Sequence, residues 1–303
     1  MSRIVGIGAC VMDTLYTVPH YPGEDTKLRA SGCKQAGGGP TATGLVAAAK
    51  LGADTAYIGV LSDDAAGKAL KADFERYGVK TDLVRVCSGY RSFSSVIWLS
   101  EEGTSRTCVF DRGTLPPLQL SEAQKKVIAE ADILMVDGNE MDAAVDAAML
   151  IRKNHGKVLY DCGGLYPQVE RLLAVTDVMI PSEEFALGHT GADNAGDAAR
   201  ELMDRYHPEV VVITQGKQGG LLYDGERLVR YPIYPARVKD SNGAGDVFHG
   251  AFAAAILRGY SYETCCHFSS AVSAIKCTGI GARESVPDFA TVKQYLKENG
   301  YEL

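Results

Sequence analysis

The chain has 303 residues, 46% of them hydrophobic, and a formal net charge of −7 with a pI near 5.4. That acidity excludes the basic face a nucleic-acid binder needs. With no apolar run of about 18 residues and no basic-then-apolar start, a soluble cytoplasmic protein is expected, neither spanning a membrane nor secreted. The length suffices for one large core, alone or with a small appendage.

In chain order, β-branched apolar strings predict buried strands at 3–7, 55–59, 133–136, 157–160, 178–180 and 210–214. Helical spacing falls between them at 41–51, 65–77, 121–129, 142–155 and 195–206. This alternation predicts a mostly parallel sheet covered by helices on both faces. After residue 210 the pattern changes. Segments 219–223 and 227–231 read as an antiparallel hairpin around Asp224-Gly225, followed by helices at 244–257, 262–276 and 290–298. Segments 13–36 and 90–110 have strand character without a helix-covered core pattern. They read either as strands of a small separate sheet or as surface hairpins.

Eight cysteines are scattered without CxxC pairs, which fits reduced, buried thiols. Cys265-Cys266-His267 is the one Cys/His cluster, and adjacent residues on a helix point about 100° apart, a poor chelate.

The most informative stretch is Asp240 to Phe252, DSNGAGDVFHGAF. Gly243, Ala244 and Gly245 keep side chains away from backbone N–H groups, and an apolar helical pattern follows at once. Such a turn aims amides and the positive end of a helix dipole at one point, which suits phosphate. Asp246 lies in the first helical turn, where a carboxylate would repel a nucleotide unless it takes a proton from the attacking hydroxyl. An N-cap and a tight turn are the alternative reading of the same residues. Other phosphate signatures are missing. No Gly-Lys pair is followed by Ser or Thr as in a P-loop, and Gly6-Ile7-Gly8-Ala9-Cys10-Val11 has valine where a dinucleotide fold has its third glycine.

The pattern D-[ST]-x-G-A-G-D-x-F-x-G-A in this stretch resembles the C-terminal signature of the PfkB, or ribokinase-like, carbohydrate kinases. Residues 36–52, with Gly37-Gly38-Gly39, resemble the N-terminal signature, although Thr43 stands where that signature has asparagine. The resemblance implies an α/β fold over residues 1–303: a three-layer α/β/α sandwich with a mostly parallel central sheet. It also implies a small β-sheet lid, built from about 13–36 and 90–110, over the sugar. Homodimerisation through the lid is a family expectation.

The implied sugar contacts are Asp13, Gly38, Gly39 and Thr43. Thr214, Gly216 and Gly219 match the nucleotide loop, and Ser182 stands at the asparagine position of an N-x-x-E motif. In that motif Glu183 remains for magnesium, while Phe185 replaces the last glutamate. Asp240, the Asn242 carbonyl and the loop with Gly279, Gly281 and Ser285 correspond to a potassium site. The expected activity is transfer of the γ-phosphoryl group of ATP, with Mg²⁺, to a hydroxyl of a small ketose or pentose. Asp246 is then the base, and Gly243, Ala244 and Gly245 the anion hole.

Similarity to fructokinase and sulfofructose kinase branches adds an anionic sugar, such as sulfofructose or a sugar phosphate, as an alternative, with Lys27 as its cation. Phe110 and Asn139, however, stand where further basic recognition would be expected. A nucleoside kinase using Tyr16, Tyr21, Trp98 and Phe110, and a non-catalytic sugar sensor, are the other readings.

Overall fold

The computed structural model describes residues 4–103 and 105–303. Its strands are β1 (Ile4–Ile7), β2 (Val11–Val18), β3 (Gly32–Gly38), β4 (Thr55–Tyr57), β5 (Val60–Ser62), β6 (Arg85–Cys87), β7 (Ser94–Ser100), β8 (Ser105–Asp111), β9 (Ile133–Val136), β10 (Lys157–Cys162), β11 (Val178–Pro181), β12 (Val210–Thr214), β13 (Gly220–Tyr223) and β14 (Leu228–Tyr231). Its helices are α1 (Pro40–Lys50), α2 (Ala65–Arg76), α3 (Glu122–Ala129), α4 (Met141–Lys153), α5 (Val169–Leu173), α6 (Glu183–Thr190), α7 (Ala195–Tyr206), α8 (Ala244–Ile256), α9 (Tyr262–Lys276) and α10 (Phe289–Glu298).

Eight strands form the central sheet in the order β14-β13-β12-β11-β10-β9-β1-β4. The six from β4 to β12 are parallel, and β13 and β14 add an antiparallel edge. Strand alternation sends successive residues to opposite cores. Ile4, Ile133, Leu159, Val178 and Val210 face the core shared with α1, α8 and α9, while Val5, Leu134, Val158, Met179 and Val211 face the one shared with α4 and α7. Burial on both faces explains why these strands read as continuous apolar strings. No helix among the described residues is long and apolar enough to cross a membrane.

Segments 13–36 and 90–110 pair with each other in a separate four-stranded sheet, β3-β2-β7-β8. Arg3 and Thr104 lie outside the described residues. The sequence pattern did not identify the two-stranded sheet β5-β6, nor α5 and α6. Helix α6 starts where Ser182 Oγ accepts the amide of Phe185 at 3.1 Å, an N-cap hidden inside the Pro181–Phe185 motif.

Two small-residue helices meet at the centre. A side chain at Gly250 of α8 would overlap the carbonyl of Gly44 in α1, so the two backbones touch there directly. Helix α1 begins right after Gly38-Gly39 and α8 right after Gly243. This contact therefore sets the spacing between the two halves of the site described next.

Candidate active site

Ligands of open α/β sheets bind beyond the carboxyl ends of the strands, and the functional residues gather there. At the start of α8, Gly243 has φ 74, and a Cβ on it would lie 2.6 Å from that of Ala282, so both backbone and space demand glycine. Of the three expected anion-hole residues, Ala244 turns its amide back to Ser241 O at 3.2 Å. The amides of Gly245 and Asp246 have no hydrogen-bond partner among the described residues, and the space beside Gly245 is open. The amide of Gly243 has no such partner either, so two of the three expected donors are free and Asp246 adds another.

The turn is fastened from behind. The carboxylate of Asp240 accepts the amides of Asn242 (2.7 Å) and Gly281 (2.8 Å), which joins loop 240–243 to loop 278–283. Lys276, fully buried at the end of α9, donates to Asp240 O at 3.0 Å and to Asn242 O. Ser285 Oγ fills the space beside Gly279. The expected potassium residues are thus brought together, but the Asp240 carboxylate is committed to two amides. The two backbone carbonyls already hold an ammonium, so this donor set does not fit a potassium ion.

Asp246 is half-buried. Burial pushes its carboxyl above the usual carboxylate range, while His249, Arg106 and Lys276 pull it back. One turn on, His249 is buried with Nδ1 2.6 Å from Gly245 O and Nε2 2.9 Å from Ile180 O. Asp161, at the end of β10, lies 3.3 Å from Nδ1. Burial raises the Asp161 carboxyl, and His249 counters it.

Opposite α8, the lid contributes Asp13. It is 7% exposed; its Oδ1 accepts Ser95 Oγ at 2.6 Å, and its other oxygen faces Gly38 so closely that a side chain there would overlap it. Burial raises Asp13 to about 6, against the pull of Ser95 and Arg283, and Asp246 acts on it from across the cleft. Gly39 opens α1 with φ 92. Thr43 is fully buried and accepts Arg283 Nε at 3.4 Å, so its hydroxyl faces a guanidinium. Arg283 also donates to Gly38 O (2.7 Å) and pairs with Asp73 (2.6 Å), which fixes the glycine turn under Asp13. Lys27 is exposed on the β2–β3 connection.

On the nucleotide side, Ser182 pairs with Thr214 in a parallel bridge, which places the ends of β11 and β12 side by side. Gly216 and Gly219 follow in a tight 3₁₀ turn, both at positive φ. Gln215 Nε2 donates to Glu183 Oε1 at 2.6 Å, fixing that carboxylate at the mouth of α6.

Sequence reasoning missed Asp161, His249, Ser95, Arg106, Lys276 and Arg283. Asp161 had a usable signal, a carboxylate ending a buried strand. The others gave none, because each acts across more than 30 residues of chain.

The family model for pfkB family carbohydrate kinases matches residues 1–288. A ribokinase of Haemophilus influenzae is 27% identical over 96% of this chain and 97% of its own length. A ketohexokinase of Mus musculus is 24% identical over 91% and 96%. Arabidopsis thaliana ribokinase, solved with ribose and ATP, superposes with a TM-score of 0.86 at 26% identity, covering 98% of this chain and 99% of that one. A nucleoside kinase of Methanocaldococcus jannaschii shares the fold with a TM-score of 0.81 at 17% identity, covering 98% and 99%. With its signature turn, lid and central sheet in place, the chain belongs to the pfkB family of carbohydrate kinases, phosphotransferases with an alcohol group as acceptor.

Proposed function

We propose that this kinase transfers the γ-phosphoryl group of ATP to a hydroxyl of a small neutral sugar of ketose or pentose type, with Asp246 as the general base. The observation that carries this reading is the placement of Asp246. Its carboxylate stands in the first turn of α8 beside the free amides of Gly245 and Asp246, across the cleft from Asp13 on the lid. Asp13 then accepts hydrogen bonds from two sugar hydroxyls and orients the acceptor. A base with a raised pKa accepts the hydroxyl proton well, and the amides hold the negative charge that develops on the phosphoryl oxygens. The lid keeps out water, which would otherwise take the phosphoryl group.

Magnesium enters with the nucleotide. No cluster of three His, Cys, Asp or Glu that could hold a metal occurs among the described residues. An ion bound by phosphates, water and one carboxylate needs no such cluster, and Glu183 is the carboxylate assigned to it in this reading. When bound, it neutralises phosphate charge.

Arg106 supports a second reading. It lies opposite Leu99 in the lid ladder and draws down the Asp246 carboxyl, so a cation faces the acceptor site from above. This favours a sugar bearing an anionic group. Of the aromatics in the nucleoside reading, alternation puts Phe110 on the lid face of Asp13 and Ser95 but turns Tyr16 and Trp98 to the opposite face, which weakens that reading.

The test is ADP release with Mg-ATP against fructose, ribose, tagatose, psicose, fructose phosphates, sulfofructose and adenosine. Turnover on a neutral sugar is expected. Turnover on an anionic sugar alone selects the second reading. Tight ATP binding with no turnover on any of them would overturn the choice of these sugars, in favour of an acceptor outside the panel or a sensor.

The pH profile follows from Asp13. Its carboxyl is neutral below about 6 and then donates where it should accept, so kcat/KM is expected to fall as the pH drops through about 6. Asp246 acts on Asp13, and the observed limb therefore belongs to the pair. Ser95→Ala removes a bond to the ionised form and should move the limb to higher pH; a limb that does not move would detach Asp13 from sugar binding.

A further inference from the structure

The anion-hole turn is tied to a buried lysine. Lys276 is the last residue of α9 and is fully buried, yet its ammonium reaches two carbonyl oxygens, Asp240 O and Asn242 O, immediately before Gly243. A buried ammonium is costly unless its protons are satisfied and its charge is offset. Here two carbonyls take protons, and the charges of Asp240 and Asp246 support it against the burial that draws its pKa down. Rings of backbone carbonyls are also what a desolvated potassium ion coordinates.

We infer that Lys276 is a positioning residue that stands in for a bound monovalent cation: its tethered ammonium fixes the carbonyls of Asp240 and Asn242 and so holds the Gly245 and Asp246 amides in place, making the enzyme independent of potassium. Three features converge on this arrangement. Each oxygen of the Asp240 carboxylate already accepts an amide, Oδ1 that of Asn242 and Oδ2 that of Gly281, which binds the carboxylate into the loop. The same loop is tied to α9 by Ser273 Oγ, which donates to Ala244 O at 2.9 Å, and by the amides of Lys239 and Asp240 on Cys277 O. An ammonium on a four-carbon stem carries the charge and coordination of a small cation without dissociating.

The inference rests on the anion-hole role proposed for the start of α8, so its test includes a measurement that needs no sugar. Wild-type protein is compared with Lys276→Ala in tetramethylammonium, sodium, potassium and methylammonium chlorides at equal ionic strength. Melting temperature with and without Mg-ATP is followed first, then turnover on the sugar the panel identifies. Wild type is expected to behave alike in all four salts. Lys276→Ala is expected to lose at least tenfold in turnover in tetramethylammonium and to regain several-fold in potassium or methylammonium. A rise in its melting temperature with the same two cations, absent in wild type, is expected alongside. Potassium activation of the wild type would overturn the inference whether or not the variant folds. A folded variant whose loss no cation relieves would overturn it as well, by reducing Lys276 to a packing residue. A panel without turnover leaves the melting comparison intact, so the two readings fail separately.

Discussion

Replacement of Asp246 by asparagine is expected to lower kcat by about 10²–10⁴-fold, the usual contribution of a positioned general base. Binding of Mg-ATP should be little changed. Asparagine keeps the size of the side chain and the amide of residue 246, but it cannot take the hydroxyl proton. It also removes a negative charge from a cleft that already holds Asp13, Asp137 and Asp161. ATP should therefore bind the variant at least as tightly as the wild type, while turnover falls. Single-turnover rates and ATP titration by melting shift separate the two effects. Near-wild-type turnover would sink the assignment of Asp246 as base and leave it as a helix-terminal residue.

Gly250→Val is expected to be the most damaging change away from the chemistry. The neighbour a side chain would meet is the Gly44 carbonyl, which cannot rotate away as a flexible side chain would, so α1 and α8 must part. Overpacking of this kind costs about 1–3 kcal/mol, and more where backbone is forced to move. For a domain of about 150–250 residues each kcal/mol lowers Tm by about 2–4 °C. Activity should suffer beyond the loss of stability. The displaced helices carry Gly38 and Gly39 at the start of one and Asp246 at the start of the other, and small misplacements of reacting groups are costly. Gly250→Ala should show a smaller loss in both measurements. A valine variant with wild-type Tm and turnover would show that the two helices have slack at their crossing.

The central sheet was legible because strands buried on both faces must be apolar where they are covered, and residues 133–136, 158–160 and 210–213 are. The signature turn was legible for a similar reason. Gly243 must be glycine for its φ, and Asp246 is set three residues later in the same turn, so local sequence records the requirement. Helix α6 was missed because eight residues starting inside a Pro-Ser-Glu-Glu motif carry little apolar periodicity, and its cap at Ser182 was read as a ligand position. The two-stranded sheet β5-β6 escaped because three-residue strands leave no pattern to count.

By itself the sequence determined the layered fold and the turn that begins α8, since each follows from neighbours along the chain. It left segments 13–36 and 90–110 open between a small sheet and surface hairpins until their long-range pairing was seen. Only the tertiary structure decided what those residues touch. It gave the Asp240 and Asn242 carbonyls to Lys276, more than 30 residues away, and the Thr43 hydroxyl to Arg283, across 240. It also showed that Ala244 spends its amide on Ser241 while Gly245 leaves its own free. Hydrogen-bond partners are chosen by distance in space, and burial sets the cost of leaving a polar group unpaired. Neither quantity is written in the order of the residues.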